Sequence, residues 1–178
     1  MKYGQIISIK NNTLTASAGI DESNSNGYFI LWPKNLQEIT NKIWEHIRKK
    51  HNIKNLGIII TDSRTVPLRW GVIGIALSWC GFEPLKSYIG KSDIFGNTMH
   101  AERTSIIDSL ASAATVTMGE GNEQQPLAVI EDADFVTFQS QVPTDEELVG
   151  LRIEFEDDLF EPLLRSVAWK KSKRKMQK

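Results

Sequence analysis

A chain of 178 residues with 40% hydrophobic content is long enough for one well-packed domain. Its 21 basic and 22 acidic residues nearly cancel, but six of the basic ones fall between Lys170 and Lys178. The body is left with 15 basic against 22 acidic residues, a net −7 that repels a phosphate backbone and argues against nucleic acid as a partner of the fold. Residues 1–169 therefore read as a single domain, and 170–178 as a solvated, disordered basic tail. A lone cysteine, Cys80, excludes an internal disulfide and a Cys-type metal site. No apolar stretch approaches the length of a bilayer span, and MKYGQIISIK lacks a signal-peptide apolar region, so a cytoplasmic location is expected.

In chain order, YGQIISI and LTASAGI read as strands joined by a turn at Asn11-Asn12. The polar loop DESNSNG follows, and YFILW reads as a return strand closed by Pro33. Asn35, three residues before Glu38, has the pattern of a helix N-cap with its reciprocal acidic partner. Leu36, Ile39, Ile43, Trp44 and Ile47 then recur at helical spacing, which predicts an amphipathic helix over 36–50. The run NLGIIIT predicts a strand buried on both faces, ending at the polar cluster Asp62-Ser63-Arg64. VIGIALSW is a further buried strand, and a packed helix is expected from Glu102 to Met118, stopped by Gly119. LAVIE and DFVTF read as strands. Thr144 and Glu147 form a capping-box pattern, and EDDLFEPLLRSV a last helix with Pro162 near its start or breaking it. Strands and helices do not alternate cleanly, so the class is mixed α+β rather than a doubly wound sheet.

Three polar clusters could carry chemistry. Asp21, Ser23 and Asn24 in SAGIDESN offer donors and acceptors that suit a phosphate or carboxylate; a plain hairpin loop with Asx-turns needs the same residues. In TDSRTVPLRWG, Asp62 can hold a hard divalent cation through oxygen, and Arg64 and Arg69 can grip phosphate oxygens. A turn cap and a structural ion pair explain those residues equally well. The third cluster, MGEGNEQQP, lacks a phosphate-binding glycine loop with its lysine and reads as a helix stop. The histidines show no metal spacing, and the five tryptophans read as scattered packing residues.

Taken together and in order, SAGIDESN, the stretch ending LWP, IIITDSRTVPLRWGVIGIAL, GKSDIFGN, DSLASAATVTMGEG and QQPLAVIEDADF resemble the γ-glutamyl ligase family that acts on the deazaflavin coenzyme factor 420. The similarity runs from about Ala16 to Phe138, and the wording is closer to the branch assigned to folate metabolism. The resemblance implies an α+β ligase-like fold with mixed sheet and packed helices, shortened at its N-terminus. It also implies an ATP- or GTP-dependent ligase that joins glutamate to a folate-type or deazaflavin carboxylate with Mg or Mn, and a homodimer. On this reading Asp62 is a metal ligand and, with Arg69, catalytic. Asp21, Ser23, Asn24, Arg64 and Thr65 face nucleotide or substrate. Glu102 stands where many members have Thr and is a second metal-ligand candidate, while Asn97 replaces an Arg that often follows the D-x-x-G turn of Asp93 and Gly96. An upstream family segment with a serine–lysine stretch has no counterpart, which leaves a split or non-catalytic subunit as the alternative.

Overall fold

The computed structural model describes residues 4–171. Residues 172–178, most of the basic tail, and Tyr3 of the first expected strand lie outside the described residues. The secondary structure runs β1 (Ile7–Lys10), β2 (Thr13–Ala16), α1 (Leu36–His51), β3 (Ile58–Thr65), β4 (Val72–Cys80), β5 (Leu85–Ser87), β6 (Arg103–Ser105), α2 (Ile106–Met118), α3 (Asp145–Gly150) and α4 (Glu161–Arg165). Strands pair as three antiparallel ribbons, β1–β2, β3–β4 and β5–β6. The organisation is α+β, as expected.

The β3–β4 ribbon is the centre of the molecule. Its register pairs Ile60 with Ser78 but Thr61 with Ala76, so Leu77 is left over as a bulge. The bulge keeps small residues facing α2 on the far half of β4. There α2 approaches so closely that a Cβ on Gly74 would lie 2.4 Å from Thr115 Oγ1 and 2.5 Å from the Ala111 carbonyl. Trp79, Phe82, Ile106 and Ile107 form the core on this side. The opposite face receives α1, where the buried hydroxyls of Thr40 and Ser78 meet at 2.6 Å. Trp44 is buried beside them and its indole donates to the Leu56 carbonyl at 2.8 Å.

Several local expectations need correction. Ile58, Ile59 and Ile60 are half-buried rather than sealed on both faces, because a two-stranded ribbon leaves each strand an unpaired edge. Asn35 adopts a left-handed conformation and makes no side-chain cap; its amide reaches only the Glu38 carboxylate, at 3.5 Å. YFILW is not a strand but forms a single bridge, Ile30 to Asp21. LAVIE and DFVTF likewise form no strand, and Phe138 contributes one bridge to Phe82. α2 starts at Ile106, capped by Ser105 Oγ, since Arg103–Ser105 is taken up by pairing with β5. The expected last helix divides into a 3-10 turn at Phe155–Asp157 and the short α4, with Pro162 in its first turn. The Thr144–Glu147 capping box is present with both reciprocal bonds.

Candidate active site

Asp62, Ser63 and Arg64 are not beyond the end of β3 but inside it, paired with Ile75, Gly74 and Ile73. Alternation along the strand sends Asp62 and Ser63 to opposite faces. On one face, Asp62 Oδ2 accepts the Trp32 indole N–H at 2.6 Å, while Oδ1 accepts the Ser63 amide at 2.8 Å. On the face shared with Gly74 and α2, Ser63 Oγ donates to Glu120 Oε2 at 3.1 Å, just past the C-terminus of that helix.

The loop after β2 is brought to the same place by its backbone. Ser17, Ala18 and Gly19 all have positive φ, and a Cβ on Gly19 would lie 2.3 Å from the Trp32 ring. Only glycine allows the loop to lie flat on that indole. Lys10 ties the loop to the same ring, donating to the Ala18 carbonyl at 2.9 Å with its ammonium 4.4 Å from the Trp32 ring centroid. Asp21 and Ile30 bridge the loop ends. Within it, Asp21 accepts the Ser23 amide at 2.8 Å and the Ser23 hydroxyl at 2.7 Å. The Ser23 hydroxyl, followed by its amide, holds the Asp21 carboxyl below its usual range. Asn24 Nδ2 then donates to the Gly121 carbonyl at 2.9 Å, and the Gly121 amide donates to Glu123 at 2.7 Å.

Three segments far apart in sequence thus share one hydrogen-bonded group: the loop of Asp21, Ser23 and Asn24, the strand residues Asp62 and Ser63, and the turn of Glu120, Gly121 and Glu123. Arg64 and Thr65 continue β3 away from it toward the turn that carries the exposed Arg69. Among the described residues neither guanidinium has an ion-pair or hydrogen-bond partner, so the structural pairing that would account for Arg69 is not formed. Glu102 joins no part of this group. It lies before β6, and the Ala101 amide, donating at 3.1 Å, holds its carboxyl below the usual range.

Three members went unread in the sequence. Trp32 looked like a packing residue, Glu120 like part of a helix stop, and Lys10 carried no signal. A concave surface elsewhere, about 340 Å³ beside Trp44, Arg48 and Lys54, is an open depression where Arg48 is already spent on the Ile53 and Ser140 carbonyls.

The carboxylates, hydroxyl and amide of the group are all hard oxygen donors, which fits Mg or Mn and not a thiophilic metal. Among the described residues no three His, Cys, Asp or Glu side chains already converge as a preformed cage. A site completed by nucleotide phosphates would have that character.

The family model for F420-0:gamma-glutamyl ligase matches residues 1–132, which include all three segments. The chain belongs to this family. Similar curated relatives carry the name coenzyme F420:L-glutamate ligase. That of Methanocaldococcus jannaschii is 37% identical over 129 residues, 72% of this chain and 51% of the relative. That of Methanosarcina mazei is 37% identical over 120 residues, 67% of this chain and 47% of the relative. For Methanococcus maripaludis strain C7 the figures are 35% over 151 residues, 85% and 58%. The chain spans about half the length of the curated relatives it matches. No helix among the described residues is long and apolar enough to cross a membrane.

Proposed function

We propose that this chain is a nucleotide- and divalent-metal-dependent ligase that forms a γ-glutamyl-type amide on a folate-type or deazaflavin carboxylate, working as a homodimer. The observation that carries the reading is the hydrogen-bonded convergence of Asn24 on Gly121, Ser63 on Glu120 and Trp32 on Asp62. These contacts tie the loop, the strand and the turn together inside the region matched by the family, with Asp62 on one face of β3 and Ser63 and Glu120 on the other. Their carboxylate and hydroxyl oxygens are of the kind a metal-bound nucleotide needs.

In the proposed reaction GTP or ATP gives its terminal phosphoryl group to the acceptor carboxylate, forming an acyl phosphate and a nucleoside diphosphate. The glutamate amine then attacks the acyl carbon, inorganic phosphate leaves, and the amine gives up a proton. A bound Mg or Mn would neutralise charge on the phosphoryl oxygens. Asp62 and Asp21 would hold it; Glu102, which joins no part of the group, would not. Ser23, Asn24 and Thr65 would position the phosphates. Arg64 and Arg69, whose guanidinium groups are free among the described residues, would pair with phosphate or acceptor oxygens. Trp32 and Lys10 act behind Asp62, fixing where its carboxylate points.

The second reading is a split or non-catalytic subunit, in which another chain supplies the remaining contacts. Incubating the chain with glutamate, GTP or ATP, Mn or Mg and each acceptor, followed by mass spectrometry, separates the two readings. A glutamylated acceptor supports the ligase acting by itself. Product that forms only after a second chain is added supports the split form, and no product with any partner rejects both.

A further inference from the structure

The turn joining β3 to β4 has a shape that folding contacts do not explain. The Arg69 amide donates to the Val66 carbonyl at 3.3 Å, closing a four-residue turn with Pro67 second and Leu68 third. Leu68 has φ +60°, the left-handed region that such a third position reserves for glycine. For a leucine this conformation is strained, because its Cβ crowds the following carbonyl oxygen. Packing gives nothing back, because Leu68 is 104% exposed, and Trp70 beyond it is 95% exposed. Two large apolar side chains are therefore held out in solvent by a strained turn, with the free guanidinium of Arg69 between them. Uncompensated strain of this kind is characteristic of binding sites.

The turn is also in reach of the reacting group. Trp70 stands two residues before β4 and four before Gly74, the partner of Ser63, so the two are no more than about 14 Å apart along the chain. We infer that this turn is the acceptor platform: Trp70 stacks on a planar heteroaromatic ring, Leu68 packs at its edge, and Arg69 pairs with an anionic group of the same molecule. The acceptor class is an acid whose ring and reacting carboxylate stand about a nanometre apart, so that the carboxylate reaches the Asp62–Ser63–Glu120 group. The inference rests on the ligase reading and adds which surface reads the acceptor.

The test titrates folic acid, and separately a 5-deazaflavin carboxylate, into the full chain with GTP and Mn, followed by tryptophan emission and calorimetry. One of the two acids is expected to bind with quenching of Trp70. Trp70→Ala should weaken that binding by about tenfold or more, as loss of one aromatic stack does, and abolish the quench. Trp70→Phe should keep most of the affinity, and GTP affinity should stay within about twofold in both variants. Unaltered acceptor affinity in Trp70→Ala overturns the inference. So does a change from dimer to monomer by light scattering at unaltered acceptor affinity, which would make Trp70 a contact between copies. Acceptor binding that depends on Trp70 in a chain that binds no nucleotide would uphold the platform while removing the ligase reading.

Discussion

The buried hydroxyl pair between α1 and β4 gives a sharp energetic expectation. Thr40 is fully buried and Ser78 is 3% exposed. Thr40 Oγ1 donates its one proton to the Leu36 carbonyl at 2.9 Å, so the 2.6 Å contact with Ser78 is donated by Ser78. Thr40→Val keeps the shape but removes that acceptor, leaving a buried Ser78 hydroxyl with nothing to donate to, at about 1–3 kcal/mol. Ser78→Ala leaves Thr40 bonded to Leu36 and should cost less, about 0.5–1.5 kcal/mol. The double variant removes both partners and should be less destabilised than the two singles added together, by about 1 kcal/mol. For a domain of this size each kcal/mol moves Tm by about 2–4 °C, which calorimetric melts of the four proteins resolve. Strict additivity, or a Ser78→Ala that costs more than Thr40→Val, would refute the assigned direction of the bond.

Two further outcomes follow from the same packing. Gly74→Ala should destabilise by about 1–3 kcal/mol through overpacking, and Thr115→Ala should rescue it only in part, because the Ala111 carbonyl is backbone and stays in the way. A full rescue in denaturant melts would mean that α2 does not approach β4 as described. Cys80 is wholly buried, and burial, reinforced by the Glu45 charge, pushes its thiol up from an ordinary value of 9.0 to about 12. Above pH 9 the unfolded chain therefore loses this proton while the native protein keeps it, so stability falls as pH rises through that window. Cys80→Ala should flatten this part of the pH profile, and the native thiol should react with a disulfide reagent only after denaturant is added. Rapid native labelling would contradict the burial.

What could be read from the sequence follows a physical pattern. α1, the β3–β4 pair, α2 and the Thr144 capping box were legible because periodicity or a local cap specifies each within a few residues. YFILW, LAVIE and DFVTF were misread because apolar composition signals a strand only when a partner strand exists. Here Tyr28, Leu127 and Phe135 are exposed, and the segments make at most isolated bridges. The bulge at Leu77 was invisible, since it depends on how α2 meets Gly74. At the site, Asp21, Asn24 and Asp62 were visible as polar residues in suggestive places. Their union through Trp32, Glu120 and Gly121 was not, because it is made by contacts that no local pattern encodes. Trp70 was grouped with the packing tryptophans, although only Trp44 and Trp79 are core residues.

Whether Asp62 anchors a metal–nucleotide site is read most directly by isothermal calorimetry of GTP and of ATP, with and without Mn or Mg. Both the native chain and Asp62→Asn are titrated. The asparagine keeps one oxygen, enough for the Trp32 indole but not for the Ser63 amide as well. The carboxylate charge is therefore lost together with one local hydrogen bond, and a melt of the variant checks that it is folded. The expected result is metal-dependent binding by the native chain and none by Asp62→Asn. Binding of equal strength in both, or binding indifferent to metal, would contradict the assignment of Asp62.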